Sequence, residues 1–88
     1  MLTKYHISGE INSKVADVPS VLSKIENIYG PNVISPIERM DGMTFEMGSW
    51  RFNIRSSNTE PLLRLNLEAD NQDLMIQKRD EVLTIING

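Results

Sequence analysis

Cysteine is absent from this chain of 88 residues, histidine occurs once, and no long run of apolar residues is present. Without cysteine there is no disulfide framework, no thiolate nucleophile and no thiolate metal site. No stretch approaches the ~20 apolar residues of a membrane span, and none near the start suits a signal peptide. His6 has no evident metal partners, so a solvated place at a strand edge is favoured over catalysis.

Basic residues are too few and too scattered for a broad nucleic-acid surface. The chain has 9 Lys and Arg against 12 Asp and Glu, a net charge of -3, whereas binding to a phosphate backbone needs clustered cations. A single phosphate group in a pocket remains compatible with this charge. The length allows one domain, residues 1–88, with a modest core. We expect a soluble, cytoplasmic protein that binds neither nucleic acid nor membrane.

The first amphipathic helix is predicted to begin after Asp17, a suitable N-cap, with Pro19 in its first turn. Gly30-Pro31 is expected to end it. The apolar residues recur at the three-and-four spacing of one helical face. They are Val18, Val21, Leu22, Ile25, Ile28 and Tyr29.

A second amphipathic helix is predicted from about residue 71 to residue 87. Asp70 and Asp73 are expected to cap its start, and Gly88 is expected to end it. Its apolar face is formed by Met75, Val82 and Ile86, supported by Leu74 and Ile85.

Between the helices, apolar and polar residues alternate as in strands that bury one face. The alternation is clearest over 50–55 and 62–68, and it recurs over 43–47. Ile7, Gly9 and Ile11 predict a further, half-buried strand at the start of the chain. The polar positions of these strands, which include Arg51, Asn53, Arg55 and Arg64, are expected on the opposite face.

Turn signals separate the predicted strands. Asp41-Gly42 predicts a two-residue hairpin, and Gly48-Ser49 permits a second turn. Val33 to Met40 is open to a short strand, although Pro36 demotes it to an edge or bulged piece. Two helices and four or five one-sided strands predict the α+β class. The architecture is a two-layer open-faced sandwich, with a mostly antiparallel sheet and both helices on one face.

A polar connection joins the two clearest strands, and its sequence is Arg55-Ser56-Ser57-Asn58-Thr59-Glu60-Pro61. Residue types alone favour an ordinary polar turn, because Ser, Asn, Thr and Pro are common hairpin residues and an Arg at a strand end often makes only a surface ion pair. The alternative is an oxyanion site. Arg55 can donate two parallel hydrogen bonds to a phosphate or carboxylate, and the Ser57 and Thr59 hydroxyls can bind the remaining oxygens.

The run from Trp50 to Leu67, which contains this connection, resembles the C-terminal domain of the phosphohexomutases, those of the bacterial phosphomannomutase type in particular. Ser8-Gly9-Glu10-Ile11-Asn12-Ser13 and Asp41-Gly42 before Met43-Thr44-Phe45 recur in that family in the same order. The resemblance therefore covers most of the chain, and it implies the same open-faced sandwich.

The resemblance implies a parent enzyme that interconverts hexose 1-phosphate and hexose 6-phosphate through a bisphosphorylated sugar. It assigns substrate-phosphate binding to Arg55, Ser57, Asn58 and Thr59. Arg55 is expected to supply charge and bidentate geometry, the two hydroxyls to donate hydrogen bonds, and Asn58 to shape the loop or donate its amide. The domain is expected to hold the phosphate that is not transferred and to close over the cleft.

The catalytic parts of that family are expected outside this chain. The sequence has no Thr-Ala-Ser-His nucleophile segment and no Asp-Gly-Asp metal loop, and Ser8-Gly9-Glu10 does not reproduce the family's Gly-Glu-x-Ser-Gly sugar loop. We expect no catalytic residue, metal or cofactor in this domain and no turnover by it alone. Magnesium and a bisphosphorylated hexose activator are implied for the parent enzyme, with the phosphosugar substrate and the other domains as partners.

Two other functions stay open at this point. A stand-alone α+β module can bind RNA on an open sheet, although Phe45, Trp50 and Phe52 are better assigned to the core. In a purely structural or interaction domain, the polar connection binds nothing and the solvent face of the sheet contacts a partner.

Overall fold

The computed structural model describes residues 6–40, 42–57 and 59–87. In chain order the elements are β1 (His6–Ile7), β2 (Ile11–Lys14), α1 (Val18–Tyr29), a 3-10 turn (Gly30–Asn32), β3 (Met43–Glu46), β4 (Trp50–Ser56), β5 (Leu62–Ala69) and α2 (Gln72–Asn87). Within the described residues this is the predicted α+β composition, with two helices and five strands.

Strand β5 lies inside the sheet, because it pairs on both edges. β4 pairs with one edge of β5, from Trp50↔Ala69 to Ser56↔Leu63, and β3 pairs with the far side of β4. β1 and β2 share the other edge of β5. All of these pairs are antiparallel, so the predicted meander from β3 to β5 is confirmed. Gly48 allows the turn between β3 and β4, since its φ of 97° is accessible chiefly to glycine.

The first strand is broken at Gly9, which the alternation did not predict. Gly9 has a φ of 77°, and the pairing shifts by one residue between Ile7↔Glu68 and Ile11↔Leu65. A one-residue shift turns a side chain to the other face of a sheet. Ile7 therefore shares the open face with Glu68 and is 57% exposed. The predicted half-burial of Ile7 is wrong for this reason.

Helix α1 begins as predicted, since the Asp17 carboxylate accepts a hydrogen bond from the Ser20 amide at 3.2 Å. The helix ends at Tyr29, and Gly30 opens the 3-10 turn that follows. Ile25 and Tyr29 are buried, but Ile28 is 44% exposed. The prediction for Ile28 is wrong because Tyr29, four residues after Ile25, takes the position that faces the sheet.

Helix α2 has a different cap from the predicted one. The Asn71 side-chain oxygen accepts a hydrogen bond from the Leu74 amide at 2.8 Å, which makes Asn71 the N-cap instead of Asp70 or Asp73. Asp73 lies in the first turn, where a carboxylate suits the helix dipole. The predicted buried face is confirmed at Met75, Val82 and Ile86, while Gly88 lies outside the described residues.

Both helices pack on one face of the sheet and form a single core with it. Phe52 stacks between Phe45 and Trp50, with ring centroids at 4.7 and 5.4 Å, and the Tyr29 ring meets Phe52 edge-on at 5.2 Å. Each fully buried side chain of this size stabilises the fold by about 1.5–3 kcal/mol. The two-layer sandwich is confirmed, and the opposite face of the sheet carries mainly polar residues together with Ile7. Within the described residues, neither helix has the length and apolar character needed to cross a membrane.

The segment before β3 runs along the edge of that strand without forming a regular one. The Ile34 amide donates to the Glu46 carbonyl at 2.8 Å, and Glu38 and Thr44 exchange backbone hydrogen bonds. Glu38 is four positions after Ile34, whereas their partners Thr44 and Glu46 are two positions apart, so the segment bulges around Pro36 as predicted. The two-residue hairpin turn at Asp41-Gly42 stays a prediction, and on either side of it Glu38 and Thr44 form an antiparallel bridge. Asp41 itself lies outside the described residues.

Candidate phosphate-binding site

The connection between β4 and β5 is a short, internally bonded loop. The Ser57 amide donates to the Leu62 carbonyl at 3.0 Å, and the Val15 amide donates to the Pro61 carbonyl at 2.9 Å. These bonds fix both ends of the loop against the sheet and against the chain that follows β2. Loops held in this way keep their side chains in a defined place without secondary structure of their own.

Two of the predicted site residues come together inside this loop. The hydroxyl oxygens of Ser57 and Thr59 lie 3.4 Å apart, and the Thr59 amide donates to the Ser57 hydroxyl at 3.3 Å. Both hydroxyls can rotate their protons toward an acceptor. Asn58, the third loop residue of the prediction, lies outside the described residues.

Arg55, the fourth predicted residue, lies on the open face near the end of β4. Its Nη2 atom is 3.6 Å from the Glu10 carboxylate, and the two side chains are 42% and 44% exposed. Glu10 belongs to the connection between β1 and β2, on the far side of β5 from β4. The Arg55 side chain must therefore cross β5 to reach it. An exposed ion pair at this distance is weak, typically worth about 0–1 kcal/mol, so the guanidinium can exchange this partner for a stronger one.

The structure adds Arg64 to the candidate site. The sequence predicts this residue on the polar face of β5 but assigns it no role. Arg64 lies directly opposite Arg55 in the β4–β5 ladder. Its Nε atom is buried and has no hydrogen-bond partner in the part of the chain that the structure describes. A buried N–H donor without a partner costs about 1–3 kcal/mol. The two arginines are nine residues apart in sequence, on strands that fold back on each other about the loop. This spacing is the sequence signal that could have predicted that they face each other.

Arg55 and Arg64 lie on neighbouring strands at one end of the open face, and the loop that joins these strands carries Ser57 and Thr59. Arg55 and Arg64 supply two permanent positive charges, and the loop that joins their strands supplies the Ser57 and Thr59 hydroxyls. These are side-chain types that can bind an oxyanion, because guanidinium groups bind planar pairs of oxygens and hydroxyls can donate to further oxygens. We call this set of four residues the cationic end.

A second polar cluster joins the two helices and plays a structural part. The Tyr29 hydroxyl donates to the Glu81 carboxylate at 2.6 Å, and Lys78 lies 3.4 Å from the same carboxylate and 5.2 Å from the Trp50 ring centroid. Burial, together with the Glu81 carboxylate, raises the pKa of Tyr29 well above its ordinary value. The hydroxyl therefore stays protonated and holds α1 against α2.

His6 lies exposed in edge strand β1, as its isolation in the sequence predicts. Trp50 is buried, as are Met43 and Met75, so the preference for a core role is confirmed at these positions. Among the described residues, no three acidic or histidine side chains are grouped as a metal site requires.

Comparison with known proteins matches this sequence to one family. The family model for "Phosphoglucomutase/phosphomannomutase, C-terminal domain" matches residues 10–85. A protein named "Phosphohexose mutases" from Xanthomonas campestris is 40% identical over 89 residues, which cover 99% of this chain and 19% of that protein. A "Phosphomannomutase" from Methanocaldococcus jannaschii is 42% identical, with 96% of this chain and 18% of that protein covered.

A "Phosphomannomutase" from Vibrio cholerae is 44% identical over 80 residues, which cover 90% of this chain and 17% of that protein. The chain thus spans about a fifth of the length of the curated relatives it matches. The residues matched to the family model include every member of the cationic end.

Proposed function

The chain belongs to the phosphoglucomutase/phosphomannomutase C-terminal domain family, and we propose that it is the substrate-phosphate-binding domain of a hexose phosphate mutase. The parent enzyme would interconvert hexose 1-phosphate and hexose 6-phosphate through a bisphosphorylated sugar. The names of the relatives support a sugar phosphate as the substrate class. The cytoplasmic location expected from the sequence stays a prediction.

The observation that carries this proposal is the pair of opposed arginines on the two strands whose connecting loop carries the two hydroxyls. A phosphate monoester carries about -1.5 to -2 charges near pH 7 and presents three acceptor oxygens. Arg55 and Arg64 match that charge across one strand pair, and the loop beside them presents Ser57 and Thr59 at 3.4 Å from each other. One anion would then replace the weak Glu10 pair and offset the repulsion between the two guanidinium groups.

The proposed contribution to catalysis is positioning. By holding the phosphate that is not transferred, the domain would fix the sugar in the cleft, and closing over it would exclude water from the reaction. We propose that the nucleophile, the magnesium ion and the bisphosphorylated hexose activator act in other parts of the parent enzyme. Within the described residues, no group of acidic or histidine side chains suits a metal ion. The role proposed for this domain therefore does not involve the magnesium ion.

Titration of the chain with mannose 1-phosphate, followed by backbone and arginine side-chain NMR, tests the proposal. The expected result is a saturable set of shifts confined to Arg55, Ser57, Thr59 and Arg64, with an affinity in about the millimolar range because most of the cleft is missing. Inorganic phosphate should move the same signals, while mannose at the same concentration and added sodium chloride should not.

Two results would contradict the proposal. One is the absence of saturable shifts with either phosphate compound. The other is a response to an RNA oligonucleotide that spreads over the open face of the sheet, which would favour the stand-alone binding module instead. The comparison of phosphate with chloride at equal ionic strength separates a specific site from general screening of exposed charges.

A further inference from the structure

Gly42 lies against the backbone of Arg55 more closely than any residue with a side chain can. The β3–β4 ladder ends at Met43↔Ile54, so the next position along β3 falls beside Arg55. A Cβ atom built on Gly42 would lie 2.5 Å from the Arg55 Cβ, 2.5 Å from the Ile54 carbonyl oxygen and 2.9 Å from the Arg55 Cα. Two of these three atoms are backbone, which cannot move without moving β4.

The backbone of Gly42 also has a φ of 82°, which residues other than glycine adopt at a cost. Two separate features therefore restrict position 42 to glycine. One is its positive φ, and the other is its close contact with the backbone of β4. Because the chain fills the space beside the Arg55 Cβ on the β3 side, the Arg55 side chain is directed toward β5. That is the direction in which it reaches Glu10 and faces Arg64.

We propose that Gly42 is a positioning residue for Arg55. Its missing side chain lets residues 42–43 press against β4, and this contact keeps the guanidinium over β5 at the cationic end. The inference rests on the proposed function for its consequence, since a displaced guanidinium would bind phosphate less well. Gly42 itself touches no ligand, and its effect passes through Arg55.

The chain provides a matched control at the other end of the same strand. Gly48 has a φ of 97°, yet a Cβ built on it would meet nothing within 4 Å. Alanine at position 48 therefore carries the conformational cost of a positive φ without the contact. Any difference between Gly42→Ala and Gly48→Ala then reports the contact with Arg55.

The experiment measures both variants in two states. In the free chain, the Arg55 Nε–H signal and its nuclear Overhauser contacts to β5 should change in Gly42→Ala and stay as in the wild type in Gly48→Ala. In a titration with inorganic phosphate, Gly42→Ala should bind about tenfold more weakly than the wild type, because it loses one charge-assisted hydrogen bond from Arg55 to the phosphate. Gly48→Ala keeps that hydrogen bond and should bind within about twofold of the wild type.

The free-chain signals separate this inference from the proposed function. If the wild type does not bind phosphate, the proposed function fails, but a change of the Arg55 signals confined to Gly42→Ala still supports the positioning role. Equal changes in the Gly42 and Gly48 variants, or none in either, would overturn the inference.

A second pair of variants covers the case in which Gly42→Ala does not fold. Asparagine tolerates positive φ better than alanine, so Gly42→Asn and Gly48→Asn lower the conformational cost at both positions while the contact at 42 remains. The same differences are expected for this pair. If both Gly42 variants fail to fold while both Gly48 variants fold, the inference is also overturned, since Gly42 would then be needed for the fold and not for the placement of Arg55.

Discussion

Arg51 and Arg55 lie four residues apart on the same face of β4, but their neighbours across the strands carry opposite charges. Arg51 lies between Glu46 and Glu68 in the ladder and forms ion pairs with both, at 3.2 and 3.4 Å. Arg55 faces Arg64, and its ion pair with Glu10 is longer, at 3.6 Å. The same residue type is thus enclosed by carboxylates at one end of the open face and opposed by a cation at the other.

This difference separates a structural arginine from the one that we propose binds the ligand. Exposure does not separate them, because the Arg51 and Arg55 side chains are 35% and 42% exposed. Like charges placed directly opposite each other destabilise a sheet, and the buried Arg64 donor adds a further cost. The fold keeps Arg55 and Arg64 next to a loop with two hydroxyls whose protons can rotate toward an acceptor. An anion bound there would offset the repulsion between the two arginines.

The largest effect is expected from replacing Arg55, which tests the comparison directly. Arg55→Ala should weaken binding of mannose 1-phosphate by about 10- to 150-fold, the range of one charge-assisted hydrogen bond, with little loss of stability. In the parent enzyme the same change should lower kcat/KM by a few orders of magnitude. NMR titration and thermal unfolding of the chain measure the two effects separately.

Arg51→Ala is the matched control for that experiment. It removes the same charge from the same face, but it leaves Glu46 and Glu68 without their shared partner. Phosphate affinity should stay near the wild-type value while stability falls by about 1 kcal/mol. If the two alanine variants lose affinity equally, the distinction between the two ends of the face is wrong.

A smaller effect on binding, with an opposite effect on stability, is expected for Arg64. Arg64→Met keeps the apolar stem but removes the charge that faces Arg55 and the unpaired Nε donor. Phosphate affinity should fall by about five- to tenfold, while the melting temperature stays unchanged or rises. Arg39→Met serves as the control, since it removes an equal charge from an exposed ion pair with Glu26. A stable Arg64→Met variant with unaltered affinity would remove Arg64 from the site.

Much of the fold could be predicted because its signals are local. The Asp17 cap, the end of α1 at Gly30 and the alternation over 50–55 each reflect one or two neighbouring residues, and the structure confirms all three. One failure involves a choice between near-equivalent residues. The sequence does not distinguish Asn71 from Asp70 and Asp73 as the α2 cap, because all three have the same capping chemistry. Only the path of the chain decides between them.

The candidate site likewise has one part that the sequence predicts and another that it does not. Arg55, Ser57 and Thr59 are close in sequence, so a reading of one loop could group them. The part played by Arg64 depends on the register of β4 against β5 and on the burial of one nitrogen atom, neither of which residue types reveal. The contact between Gly42 and Arg55 depends likewise on how tightly two strands approach. Residues that act across strands are therefore the ones that sequence reasoning misses.

The smallest expected effect tests whether Glu10 competes with the ligand for Arg55. Glu10→Gln removes a negative charge from an exposed pair that is worth about 0–1 kcal/mol, so phosphate should bind about two- to fivefold more tightly and stability should barely change. Glu26→Gln makes the same change of charge at the exposed Arg39 pair and should leave phosphate affinity unaltered at 0.15 M salt, where distant charges are screened. Weaker binding by Glu10→Gln would instead mean that Glu10 orients Arg55 for the phosphate, and Arg55 would then resemble Arg51 in depending on a carboxylate for its position.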